Sequence, residues 1–218
     1  MSKDYIEKHV RNQTSKFNIA FDIEEAQTSN ILISGANRTG KSRLSAGICS
    51  ILQNFKWKIV VFDNVGVWKE ISDVPTFYTV REKRNYDPES KTWFYPFPKS
   101  SMLFNTSLLE PVLQKSFADK VTRDLWHYQI RKREKEWTLI ALEESQLYMR
   151  NIRGLVAQNL LRICSAGRNH KLRVLGISVD LALLDPSFIR LCQQRYHAKL
   201  GIEGNAKRRF RDYYGLDW

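Results

Sequence analysis

Residues 35–42 read Gly35-Ala36-Asn37-Arg38-Thr39-Gly40-Lys41-Ser42, a complete G-x-x-x-x-G-K-[ST] motif. No other feature restricts the fold as strongly, because such a loop works only between a buried strand and a helix. Its glycines let backbone N–H groups turn inward around phosphate oxygens, and the helix N-terminus adds partial positive charge. Both flanks fit. Asn30-Ile31-Leu32-Ile33 is a short apolar run that reads as a buried strand, and Leu44, Ile48, Ile51 and Leu52 share one helical face. The loop and the following Arg43 would bind ATP. Lys41 would reach the β/γ-phosphates, and the Ser42 hydroxyl would ligate Mg²⁺. The rival reading is an ordinary glycine turn with a surface lysine.

The rest of the chain alternates strand and helix signals. Phe17, Ile19, Phe21 and Ile23 have strand periodicity in an N-terminal extension over residues 1–27. Lys58-Ile59-Val60-Val61-Phe62 predicts a second buried strand, and Met102-Leu103-Phe104 another. Leu113, Phe117, Val121 and Leu125 predict a helix, and Thr138-Leu139-Ile140-Ala141-Leu142 a buried strand. Ile152, Val156, Leu160 and Ile163 mark a helix that Gly167 would cap, and Leu172–Ser178 a further strand. Asp185-Pro186 opens a short helix, and Tyr196, Ala198, Leu200 and Ile202 alternate in a last strand. This order implies a single α/β domain over residues 1–218: a mainly parallel central sheet covered on both faces, a three-layer sandwich of the P-loop NTPase kind.

Two segments stand apart. Residues 81–100 mix Arg81, Lys83, Arg84, Lys91 and Lys99 with Trp93, Phe94, Tyr95 and Phe97, and Pro88, Pro96 and Pro98 break regular structure. They read as an aromatic-basic inserted loop or hairpin, whose rings serve a local core or subunit contact, or stack on unpaired bases. Residues 203–218 read as a basic helix carrying Lys207, Arg208, Arg209 and Arg211, which either touches DNA or forms a wet face.

ATP hydrolysis requires a carboxylate near Mg²⁺ and another to activate water. Glu143 and Glu144, at the tip of the 138–142 strand, suit these roles if that strand neighbours the first. Glu143 is then the Mg²⁺ partner and Glu144 the base. Otherwise they begin an exposed helix.

With these residues in place, the chain from about residue 28 to 202 resembles the additional-strand-catalytic-glutamate, RecA-like branch of P-loop ATPases. The likeness is specifically to the HerA/FtsK superfamily of DNA-pumping motors, which includes viral genome-packaging ATPases. Val61-Phe62-Asp63, Leu142-Glu143-Glu144-Ser145-Gln146, and Ser165-Ala166-Gly167-Arg168-Asn169 followed by Val174–Ser178 and Leu184-Asp185-Pro186 carry the resemblance. It implies an arginine completing the site, often from a neighbouring subunit. Arg168 matches the position, with Arg162 and Arg190 in reserve; the alternative for Arg168 is a helix-end cation. Glu143 stands where the family usually has aspartate. The family's sensor glutamine is missing after the strand ending at Ser178, where Ser178 is the closest polar substitute.

The formal net charge of +12 on 218 residues suggests a polyanionic partner. Arg150 and Arg153 are the expected DNA contacts. Cys49, Cys164 and Cys192 lack any C-x-x-C pairing, which suggests reduced thiols in a cytoplasmic compartment (host cytoplasm for a viral protein). The four histidines lack metal-ligand spacing. No signal peptide or membrane span is expected. The combined expectation is an ATP-hydrolysing, non-sequence-specific DNA translocase forming a homo-oligomeric ring, of the viral packaging type, with capsid proteins as further partners. A plasmid DNA-transfer ATPase, a small-molecule or nucleoside kinase, and a nucleotide-gated adaptor with little turnover are the alternatives.

Overall fold

The structure is a computed structural model that describes residues 21–133, 135–150 and 157–197. In chain order, helix α1 (Ile23–Thr28) leads into β1 (Asn30–Ser34), and α2 (Lys41–Asn54) follows the phosphate loop. Next come β2 (Lys58–Asp63), α3 (Trp68–Ile71), β3 (Thr76–Thr79), α4 (Glu82–Asn85) and a hairpin of β4 (Tyr86–Asp87) and β5 (Thr92–Trp93). Then β6 (Met102–Asn105), the long α5 (Pro111–Lys132), β7 (Thr138–Leu142), α6 (Gln158–Ala166), β8 (Leu172–Ser178), α7 (Pro186–Leu191) and β9 (Cys192–His197) complete the described chain.

Seven strands form one sheet in the order β3-β6-β2-β7-β8-β1-β9, and every neighbouring pair is parallel. Parallel sheets need cover on both faces, and the strand sequences supply it. Ile31 and Ile33 face one side with Ile59, Val61, Leu139, Ala141, Leu175 and Ile177, packed under α1 and α2. Leu32, Val60, Phe62, Ile140, Leu142 and Val174 face the other, under α5, α6 and α7. The two cores define a three-layer α/β sandwich, as expected. No helix among the described residues is long and apolar enough to cross a membrane. All three cysteines are buried and free.

Several local expectations change. Of the strand expected at residues 17–23, Phe17 and Ile19 lie outside the described residues. Ile23 opens a helix instead, because the Asp22 carboxylate accepts from the Glu25 amide at 3.0 Å and two glutamates fill the first turn. Ile152, Val156 and Arg153 also lie outside the described residues, and the helix is described from Gln158. So do Ala198, Leu200 and Ile202 and the basic segment 203–218; the last described strand is Cys192–His197. The edge strand β3 was not anticipated, because Thr-Phe-Tyr-Thr is too short to show a period. Gly167 does end α6, but with right-handed backbone. A Cβ there would lie 2.6 Å from the Leu172 carbonyl, so close approach is what requires glycine.

Within 81–100 the aromatic rings build a local core against α5. Trp93 is buried, its ring edge-on to Phe117 at 5.2 Å, and its indole N–H donates to Ser116 at 3.1 Å. The Tyr95 hydroxyl donates to Asp124 at 2.6 Å. Those two rings are committed internally, while Phe94 is exposed.

Candidate nucleotide-binding and hydrolysis site

In open parallel sheets, ligands bind beyond the carboxyl ends of the strands. Here that edge gathers the phosphate loop after β1, Asp63 after β2, Glu143 and Glu144 after β7, and Ser178 at the end of β8. The strand with the glutamates does not neighbour β1; β8 lies between them. The expected adjacency therefore fails, yet the glutamates still reach the loop because both strand tips open on the same edge.

The loop has the geometry of an anion cradle. Gly40 precedes α2 with φ +88°, a left-handed conformation that glycine adopts at no steric cost, and no side chain caps the helix N-terminus. Arg38 is also left-handed, at φ 64°. The open N-terminal N–H groups face a cleft of about 350 Å³ lined by Arg38, Gly40, Lys41, Ser42, Arg43, Val67 and Ile71. Lys41 is buried rather than standing at the surface, and its ammonium donates to the Ala36 carbonyl at 2.8 Å. Burial lowers its pKa below the ordinary lysine value, against the upward pull of Glu144 and Glu143. Thr39 closes the loop by donating to the same carbonyl at 2.7 Å. Asn37 is exposed at the rim, and Gly35 is buried, its N–H 3.3 Å from the Ser178 carbonyl.

Glu143 is 3% exposed, so it does not begin a solvated helix. One carboxylate oxygen accepts from the Ser42 hydroxyl at 2.9 Å, the other from the Trp68 indole N–H at 2.6 Å. Desolvation raises its pKa; the Trp68 and Ser42 hydrogen bonds oppose that, while the charges of Glu144 and Asp63 add to it. A P-loop Mg²⁺ takes only a hydroxyl and indirect carboxylate support from the protein, with phosphate and water oxygens completing its shell. Ser42 and Glu143 are hard oxygen donors in contact at the mouth of the cradle, so they fit that ion. No cluster of three His, Cys, Asp or Glu side chains able to hold a metal alone occurs among the described residues.

Trp68 escaped sequence reasoning. It is fully buried, and its backbone N–H donates to Asp63 at 2.9 Å while its side chain holds Glu143. Asp63 also accepts from the Val65 and Gly66 amides, at 3.1 and 2.7 Å. The aspartate ending β2 thus shapes the turn that aims the indole. A tryptophan five residues past a strand-end aspartate was the available signal, but nothing in one sequence marks it as a donor.

Glu144 has left-handed backbone, φ 48° and ψ 55°, an uncommon conformation for a glutamate and one that clusters at functional sites. Its carboxylate accepts from the Gln146 side-chain amide. The Gln146 carbonyl oxygen in turn lies 3.0 Å from the Ser178 hydroxyl. Ser178, expected to stand in for the absent sensor glutamine, is therefore linked to Glu144 through a glutamine from the neighbouring strand tip.

Arg168 lies elsewhere. It precedes β8, whose seven residues run toward the phosphate loop, so at about 3.3 Å per residue it stands roughly 20 Å from that loop, at the opposite sheet edge. It cannot reach the phosphate loop of its own chain. Arg190, in the last turn before β9, shares that opposite edge, and Arg162 stacks over the Trp126 ring at 4.4 Å. Arg150, exposed, is on the glutamate side, bridged to Leu184.

A strand–phosphate loop–helix unit, an added strand between the loop strand and the strand ending in the paired carboxylates, and an all-parallel sheet define the P-loop NTPase fold. No protein-family model matches the sequence, and comparison with curated proteins finds no match. Solved structures do match in fold. The genome packaging NTPase B204 of Sulfolobus turreted icosahedral virus 2, in complex with AMPPCP, superposes with TM-score 0.61 at 13% identity, covering 85% of this chain and 81% of that one. VirB4 of Thermoanaerobacter pseudethanolicus gives TM-score 0.60 at 11% identity, over 86% and 81%. The cytoplasmic domain of EssC gives 0.51 at 12% identity, over 88% of this chain and 34% of that one. These neighbours are P-loop ATPases of the HerA/FtsK superfamily.

Proposed function

We propose that this protein is an ATP-hydrolysing DNA translocase of the genome-packaging type, acting as a homo-oligomeric ring. The observation that carries the proposal is the part-buried Ser42–Glu143 contact beside a complete phosphate loop, with Glu144 next to it in the chain. In this reading Lys41 leaves the Ala36 carbonyl to meet the β/γ-phosphates, and Arg38 and Arg43 border the incoming triphosphate. Ser42 and Glu143 would hold Mg²⁺, which would supply neutralisation of charge on the phosphate oxygens. Glu144 accepts the proton of the attacking water, and Gln146 sets the direction of its carboxylate. Arg168, on the far edge, acts on a neighbouring subunit's ATP; its position is what favours an oligomer over a monomeric enzyme. The packaging NTPase B204, whose fold this chain shares, supports the genome-packaging variant, with capsid proteins as further partners.

ATP turnover measured with and without duplex DNA tests this. The motor reading predicts turnover that rises with DNA. Phosphate transfer to an added small acceptor would indicate a kinase, and binding of ATP with no turnover an adaptor; either result contradicts the proposal.

A further inference from the structure

Three adjacent strands, β2, β7 and β8, are each entered through a turn with a left-handed cation. Lys56 has φ 63°, Arg133 φ 49° and Lys171 φ 53°. Glycine or asparagine is the low-energy choice at such helix-end positions. Arg38 and Lys91 are also left-handed cations, so what distinguishes these three is their grouping in neighbouring turns of one edge, where their charges add.

Their surroundings strengthen the pattern. Arg131 and Lys132 end α5 and Lys135 follows, all exposed. The segment is stitched into one surface: the Lys171 ammonium donates to the Lys135 carbonyl at 2.6 Å, and the Thr138 and Lys58 amides bond to the Lys171 and Trp137 carbonyls, each at 2.8 Å. Glu134 and Glu136 are the acidic residues interleaved in this run.

We propose that this strand-entry edge, centred on Lys56, Arg133 and Lys171, binds the sugar–phosphate backbone of duplex DNA. The proposal rests on the motor reading and says where the DNA lies: across the sheet from the phosphate loop, beside the turn from which Arg168 reaches the neighbouring subunit. Adjacent strands are about 4.8 Å apart, so the three turns present a row of cations roughly 10 Å long, which spans about three phosphates of one DNA strand at about 3.4 Å of helix axis each. Duplex suits the edge better than unpaired bases. The nearby rings of Trp57 and Trp137 stack on each other at 5.1 Å, with the Arg173 guanidinium over Trp137, and so are occupied.

The test replaces Lys56, Arg133 and Lys171 together by glycine. Glycine relieves each left-handed turn while deleting its charge, so the melting temperature should hold or rise. Duplex affinity at low salt should fall at least about tenfold, and the slope of log affinity against log salt should shrink by about 2.7, or 0.9 per lost phosphate contact. The exposed triple Lys83→Ala, Lys91→Ala, Lys99→Ala removes the same net charge from the hairpin region and should leave the slope near wild type. Equal losses from both triples, or none from the first, would overturn the surface while leaving the motor reading standing. Unchanged DNA affinity with loss of DNA-free turnover would make the whole edge a subunit contact, as at Arg168, and also overturn it. Wild-type protein that binds no duplex would instead overturn the motor reading.

Discussion

Glu144→Gln is expected to keep ATP binding and lower turnover by at least about a hundredfold, the order expected for loss of a general base. The substitution preserves volume, and the new amide carbonyl can still accept from Gln146, so the strained turn at φ 48° keeps its anchor. Only the capacity to take a proton disappears. Glu143→Gln should behave differently. Its carboxylate receives two donors, from Ser42 and Trp68, and an amide can accept at one oxygen only. The variant should lose Mg²⁺ dependence and turnover together. Single-turnover hydrolysis with a parallel nucleotide-binding titration separates the two. Normal hydrolysis by Glu144→Gln would move the base to Glu143 or another carboxylate.

The second large effect follows from the proposal that Arg168 completes a neighbouring subunit's site. Lys41→Ala should abolish productive ATP binding, since it removes the cation facing the β/γ-phosphates. Lys41 is buried, so Lys41→Met, which keeps the stem, serves as the fold control. Arg168→Ala should lower turnover by about a thousandfold if its guanidinium completes a neighbour's site, the lower range for an arginine finger. Mixing Arg168→Ala with Lys41→Ala should then restore hydrolysis, because a mixed interface pairs an intact phosphate loop with an intact arginine. Turnover per subunit should also rise steeply with protein concentration and fall with added salt. An inactive mixture, with each variant folded, would leave Arg168 as a helix-end cation.

Much of this was legible in the sequence for a physical reason: each signal was local. A phosphate loop fixes its own strand and helix, and a run such as Thr138–Leu142 ending in two glutamates announces a buried strand and its tip. What escaped depended on distant residues. That Glu143 meets Ser42, 101 positions earlier, follows from sheet order, and β8 between β1 and β7 replaced the expected adjacency. Trp68 gains its part only because Asp63 folds the β2 exit turn beneath Glu143. The Ser178–Gln146–Glu144 link needs two strand tips side by side, so the absence of a sensor glutamine after Ser178 did not reveal a glutamine arriving from β7. Arg168 matched its expected place in sequence, but only the direction of β8 shows that it faces away from its own nucleotide.

The central claim, that hydrolysis drives movement along DNA, is tested most directly by displacement of a triplex-forming strand from a duplex. Wild-type protein with ATP and Mg²⁺ should release the third strand at a rate that follows ATP turnover. AMPPCP in place of ATP, or the Glu144→Gln variant with ATP, should leave the triplex in place. Vigorous DNA-stimulated hydrolysis with no displacement from either duplex end would contradict the account.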